Sequence, residues 1–184
     1  SSLHDIGKVG IPDSILLKPG SLTREEREVM ELHTLIGGEC LEAIQSRLGY
    51  NNAFMHTAQQ VAYYHHEKWN GEGYPHGLKD HEIPLVARIV AVADVYDALT
   101  SKRPYKKPLS HFESKSIILS GSGSHFDPEI VSVFLRHEDK FEAISRSQLQ
   151  LTDDDVRSQF QDLCERAQES EDFTEMLPSQ TTFS

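Results

Sequence analysis

Apolar residues recur at three- and four-residue intervals along this chain, and no stretch of useful length alternates with a period of two. That pattern predicts helices and no sheet. Over 21–44, Val29, Leu32, Ile36, Leu41 and Ile44 follow a helical period behind Thr23, with Glu26 three residues on, the spacing of a capping box. Gly37-Gly38 either interrupts this helix or lets it pack closely. A second helix is expected over 51–71, ending near Trp69. A third runs over 84–101, with Pro84 in its first turn and Leu85, Ile89, Val92 and Tyr96 on one face. Residues 108–137 hold two more, split by "GSGS", with Asp127 as N-cap and Pro128 as first helical residue. Residues 9–20, with Pro12, Pro19 and Gly20, read as a loop with one short turn. The fold class expected is all-α.

Beyond residue 146 the pattern weakens. The segment is acidic and poor in aliphatic residues, and it ends in a Ser/Thr/Gln string. Val156, Phe160 and Leu163 support one amphipathic helix over 151–168, and the last ten residues read as disordered. The division expected is therefore 1–146 and an acidic helix and tail over 147–184. An apolar fraction of 38% agrees with a polar tail.

A net charge of −11 argues against binding to nucleic acid polymers or anionic membranes, because phosphate contacts need clustered Lys and Arg. It leaves room for a small anionic substrate in a local basic or metal-rich pocket. The longest apolar run, 83–93, contains Arg88 and has about half the length of a membrane span. Cys40 and Cys164 have no CxxC spacing and read as ordinary thiols of a reduced, intracellular protein, Cys40 as a packing residue.

The chemistry concentrates in histidines and aspartates. "YYHHEKWNGEGYP" at 63–75 sets His65 beside His66, just before a turn rich in glycine. Neighbours on a helix point about 100° apart, so both rings reach one ion only from a helix end or a crevice. Asp94 sits inside the apolar stretch "RIVAVADVYDAL", where a carboxylate needs a cation or a network of donors. His4-Asp5 can place an imidazole on one ion and a bridging carboxylate between two. Imidazole and carboxylate suit Fe, Mn, Zn, Ni or Co better than Ca or Mg. Paired divalent ions about 3.5–4 Å apart are the arrangement that hydrolyses phosphate esters. His56, His76, His81, His111, His125 and His137 read as ordinary surface or cap residues.

The strings "HDIGKVGIPD", "HTLIGGE", "HHEKWNGEGYPHGLKDHEIPLVARIVAVADVYDALTSKRPYK" and "GSHFDPEIV" occur in order over about 3–135. Together they resemble the HD-GYP domain, a branch of the HD superfamily of metal-dependent phosphohydrolases, and Gly73-Tyr74-Pro75 is the feature that separates this branch. The resemblance implies an HD-superfamily helical bundle, two or three divalent ions (iron or manganese most often), and hydrolysis of cyclic di-GMP to pGpG and then GMP. Some members act on cyclic GMP-AMP.

Carried over residue by residue, the metal set is His4, Asp5, His33, His65, His66 and Asp94. Asp5, His33, His65 and His66 would hold one ion, and His4, Asp5 and Asp94 the other, with Asp5 as the bridge. Lys8 would reach the scissile phosphate, Arg103 and Lys106 would contact the dinucleotide, and Asp97, one turn beyond Asp94, would face a guanine edge. The "KWNGEGYPHGL" loop would form a wall of the pocket or a docking surface, while Trp69 and Tyr74 serve equally well as core anchors.

The resemblance further implies a bacterial, cytoplasmic signalling protein with an upstream sensor or receiver domain and a GGDEF-type partner. The chain opens inside the first motif, so upstream sequence is expected, carrying a further histidine and, in three-metal members, a glutamate. "SRLGYNN" reads as an insertion between His33 and His65. Two other readings remain. One is a module that binds a cyclic dinucleotide or a partner without turnover, and the other is an HD hydrolase of a different phosphoester.

Overall fold

The computed structural model describes residues 3–48, 53–102 and 107–150. Among these residues there are eight α-helices and two 3-10 turns, and no strand longer than an isolated bridge. The helices are α1 (Asp13–Leu16), α2 (Arg24–Glu31), α3 (His33–Leu48), α4 (Ala53–Tyr64), α5 (Leu85–Thr100), α6 (His111–Ser120), α7 (Pro128–Arg136) and α8 (Glu138–Gln150). The 3-10 turns are Ile6–Gly10 and Asp80–Glu82. The all-α expectation holds. Two compact units result, Ser1–Glu142 and Ala143–Ser184.

Local chemistry starts and stops these helices as the sequence requires. Thr23 accepts from the Glu26 amide at 3.2 Å while Glu26 accepts from the Thr23 amide at 2.8 Å, a complete capping box. Ser110 and Glu113 do the same for α6. Asp127 caps α7 with Pro128 following it.

The structure corrects several expectations. The helix expected over 21–44 breaks at Leu32, where α2 gives way to α3. Gly37-Gly38 does not interrupt it but packs it closely: a Cβ on Gly38 would run into the Tyr63 ring. The second helix ends at Tyr64 rather than near Trp69. Residues 9–20 hold the end of a 3-10 turn and all of α1. On α5 the buried residues are Ala87, Ala91, Val92, Tyr96 and Thr100, whereas Leu85 and Ile89 are exposed. Cys40 is exposed and not packed. Helix α8 spans Glu138–Gln150. The helix and tail expected over 151–184 lie outside the described residues.

Two apolar clusters hold the first unit. One joins α5, α6 and α7 through Val92, Tyr96, Ile118, Phe126, Val131 and Phe134. The other joins α3 and α4 through Leu41, Ala58 and Ala62, with Leu3 and Ile6 packed against it. A long connection, residues 65–84, docks on the turn between α6 and α7 by backbone: Trp69 N–H donates to the His125 carbonyl at 3.1 Å, and Asn70 N–H to that of Ser124 at 2.9 Å. Arg88 completes this dock. It pairs with Asp127 at 2.7 Å, both nearly buried, and lies over the Trp69 ring.

One close approach positions the N-terminal motif. The turn Ile6–Gly10 lies directly on α3, and a Cβ on Gly7 would overlap the His33 carbonyl and sit 2.5 Å from the Gly37 nitrogen. Only glycine fits there. The contact carries Asp5, the residue before the turn, onto the start of α3. Gly7→Ala is expected to lower the unfolding free energy by about 1–3 kcal/mol through overpacking. A urea titration reads this as a lower midpoint at unchanged slope; an unmoved midpoint would show the contact to be loose.

Candidate metal centre

Four chain segments converge on one spot. His4 and Asp5 come from the approach to the first turn, His33 opens α3, His65 and His66 follow the last residue of α4, and Asp94 lies midway along α5. His33 and His65 are buried, and the others are half-buried. The double histidine stands at a helix end, one of the two placements that let adjacent rings face a common point.

The hydrogen bonds at the far side of each ring decide what faces inward. Nδ1 of His33 lies 2.7 Å from the Met30 carbonyl, and Nδ1 of His65 lies 2.9 Å from that of Val61. A carbonyl only accepts, so each Nδ1 carries the proton. Each Nε2 then presents a lone pair. These two lone pairs meet at 3.5 Å, and both face Oδ1 of Asp5, at 3.6 Å from His33 and 4.0 Å from His65. Ring protonation offers no relief: burial lowers the pKa of His33, and burial followed by the charge of His4 lowers that of His65 to about 4. His66 falls to about 3, through burial and then His65. Three acceptors therefore point at one another with no proton between them. A cation resolves this repulsion, so the donor set fits a metal.

The other side of the cluster differs. Nε2 of His4 lies 3.4 Å from Oδ2 of Asp5 and 3.5 Å from Oδ1 of Asp94. Hydrogen bonding to these two carboxylates raises the His4 pKa to about 9. The same bond holds the Asp94 carboxyl below its usual range. At Asp5, burial works to raise the pKa, but His4 and Lys8 outweigh it and the net shift is down. A proton on His4 thus occupies the place that a cation would take. Lys8 donates to Oδ2 of Asp5 at 2.6 Å and stays about two-fifths exposed at the rim.

Among the described residues, two groups of three have ligand atoms within 4.8 Å of one another: His33, His65 and His66, and His4, Asp5 and His65. The first falls within the set carried over for one ion. The second differs from its counterpart, because His65 stands where Asp94 was expected, and Asp94 meets the group through His4. Asp97 and Asp94 line one cavity. This cavity holds about 390 Å³ between α4, α5 and the N-terminal residues, with mostly apolar walls that include Phe54, Val61 and Val90. Arg103 and Lys106 lie outside the described residues. Among the histidines read as ordinary, His56 is exposed and bonds Gln60, and His111 bonds Tyr96. His125 is stacked on Phe126, so it is packed rather than free at the surface.

The Gly73-Tyr74-Pro75 loop lies over this centre, with Tyr74 stacked on His66, and the Tyr74–Pro75 peptide is cis. Gly71 and Gly77 take positive φ values of 82° and 68°. Sequence reasoning missed Glu67. Its carboxylate is buried and accepts from the amides of His76 and Leu78, at 2.8 and 3.0 Å. The available signal was a carboxylate beside a glycine-rich turn, whose amides need acceptors once the loop is buried.

The HD domain family matches residues 1–130. A probable cyclic di-GMP phosphodiesterase of Vibrio cholerae is 55% identical over 139 residues, 76% of this chain and 32% of the relative. A cyclic di-GMP phosphodiesterase of the same organism is 54% identical over 78% of this chain and 29% of its own length. One from Thermotoga maritima is 48% identical over 78% and 38%. The chain thus spans about a third of the length of these curated relatives. A solved cyclic GMP-AMP specific phosphodiesterase of V. cholerae superposes with a TM-score of 0.47 at 21% identity, over 84% of this chain and 40% of that one. The His4-Asp5 pair, set by a glycine contact against His33 and the double histidine, is the feature from which that family takes its description, and the chain belongs to the HD domain family, with the Gly73-Tyr74-Pro75 loop of its HD-GYP branch.

Proposed function

We propose that this chain is the catalytic module of a metal-dependent phosphodiesterase that hydrolyses cyclic di-GMP to pGpG and GMP in bacterial second-messenger signalling. The observation that carries the reading is the set of facing acceptors at His33, His65 and Asp5, which a divalent cation would satisfy. The relatives support the substrate, since several at 46–55% identity are named for cyclic di-GMP. A second substrate, 3′3′-cyclic GMP-AMP, is supported by a V. cholerae relative at 45% identity that is named for it.

In this reading His33, His65, His66 and Asp5 hold one ion, and His4, Asp5 and Asp94 hold the other, with iron or manganese as the metals. When bound, paired divalent ions supply Lewis-acid activation of water and neutralise charge on the phosphodiester. The chain's own groups do the rest. Carbonyls of Met30 and Val61 aim two imidazoles inward, so these two rings need not reorganise when charge develops. Lys8, at the rim, steadies the negative charge that grows on the non-bridging oxygens or the leaving oxygen.

Arg103 and Lys106 offset phosphate charge, which an acidic protein otherwise repels. The apolar cavity beside Asp94 admits a purine face, and Asp97 at its edge accepts from guanine N–H groups. No described helix is long and apolar enough to cross a membrane. We place the protein in the bacterial cytoplasm, attached to a sensor or receiver domain. A Xanthomonas campestris relative at 46% identity is named a response regulator, which supports a receiver. A GGDEF-type protein that makes the dinucleotide is the natural partner.

Asp5→Ala is expected to abolish metal retention, and the exposed His56→Ala to leave it unchanged; elemental analysis of the purified variants reads both, and equal losses would overturn the ligand set. In the full-length protein, chelation is expected to stop pGpG formation and added Mn²⁺ or Fe²⁺ to restore it, followed by product chromatography. Lys8→Gln is expected to lower kcat by about 10²-fold with KM little changed, since it removes a contact made mainly in the transition state. A loss confined to KM would assign Lys8 to ground-state binding.

A further inference from the structure

His33 and His65 are each steered by a backbone carbonyl at Nδ1. His66 is not, and neither of its ring nitrogens has a hydrogen-bond partner among the described residues. An imidazole turns broadly about its second torsion, so a ligating ring needs some other restraint. Tyr74 supplies one. Its ring lies 4.8 Å from that of His66, centroid to centroid, and 28° from parallel, while its N–H donates to the His66 carbonyl at 3.2 Å. A stacked pair of this kind fixes the plane of a ring without occupying a nitrogen.

Tyr74 is itself held from beneath. Glu67 is 2% exposed, and no cation pairs with it among the described residues. Its two oxygens are used on the loop, Oε1 accepting from the His76 amide at 2.8 Å and Oε2 from the Leu78 amide at 3.0 Å. The backbone comes so near at Gly73 that a Cβ there would lie 2.5 Å from the Glu67 Cα. Clamp, loop and ring form one connected path, which starts at the residue after His66 and returns to its imidazole.

We propose that Glu67 and Tyr74 are positioning residues for His66: the buried carboxylate clamps the loop, and the loop's phenol ring replaces the hydrogen bond that steers the other two histidines. This rests on the reading of His66 as a metal ligand. The hydroxyl of Tyr74 plays no part, and the ring does the work.

The test is a Co²⁺ titration of the full chain, followed by visible absorption, in the unaltered background and in His66→Ala. In the unaltered background, Tyr74→Leu and Glu67→Gln are expected to weaken Co²⁺ binding by about 10–100-fold, the usual effect of removing a ligand's support. Tyr74→Phe, which keeps the ring, is expected to stay within about twofold. In the His66→Ala background, Tyr74→Leu and Glu67→Gln are expected to add less than about twofold, since the ring they support is gone.

Equal losses in both backgrounds would overturn the proposal by showing that the loop supports the fold at large. So would a Tyr74→Phe loss as large as that of Tyr74→Leu, or no loss in any variant. Should Glu67→Gln fail to fold, the Leu and Phe variants of Tyr74 decide alone. If His66→Ala binds Co²⁺ as well as the unaltered chain, the ligand reading of His66 falls and this proposal falls with it, a signature unlike the others.

Discussion

The centre of this protein is a repulsion. Two imidazole lone pairs and a carboxylate oxygen face one another across 3.5–4.0 Å, and the proton that would separate them is held on the wrong nitrogens by Met30 and Val61. Burial keeps those rings from protonating again. The free energy to hold such a group together comes from elsewhere, since acceptors brought face to face in a low dielectric destabilise one another. The fold supplies it in two ways. The Gly7 contact sets the N-terminal turn on α3 with no side chain between, and Ala58 and Ala62 of α4 pack with Leu41 of α3 in one buried cluster. The ligands arrive on elements whose packing is already decided.

The long connection after the double histidine is governed by a different rule. A buried segment without regular structure must still pair its backbone. Here the pairing is explicit: Trp69 and Asn70 donate to the α6–α7 turn, Asp80 donates back to Trp69, and Glu67 takes two further amides. The buried Arg88–Asp127 pair ties the start of α5 to the start of α7 beneath this segment. Removing one partner of such a pair leaves a lone charge in the interior, so the pair specifies the dock more than it adds net stability.

Much of this was legible in the sequence because it depends on local signals. Thr23 with Glu26 and Asp127 with Pro128 mark helix starts by short-range chemistry, and both starts stand where their signals put them, while Pro84, expected inside the first turn of α5, is its N-cap. The break at Leu32 and the early end at Tyr64 were not legible. At Leu32 the helical period of the apolar residues continues through the break, and after Tyr64 no stop signal comes before Asn70-Gly71. The inner face of α5 was also misjudged. Leu85 and Ile89 are the larger hydrophobes, but Ala87, Ala91, Val92 and Tyr96 are the ones buried. The candidate ligands could be named from residue types and the family resemblance, whereas Glu67 could not. Its burial follows from the folding of a polar, glycine-rich segment, and no periodic pattern reports that.

The acidity of the chain and the chemistry of its centre are then parts of one problem. With a net charge of −11 the surface repels a phosphodiester, and Lys8 at the mouth of the cluster is already engaged with Asp5. Local positive potential has to come from within the cluster. A proton on His4 between Asp5 and Asp94 supplies such charge, and hydrogen bonding to these carboxylates raises the basicity of that ring. A proton satisfies only that side, because the tautomers of His33 and His65 bar it from the other. A divalent ion satisfies both. It would also bind together segments separated by about ninety residues, so that affinity for the ion and stability of the first unit are one free energy, measured from two ends.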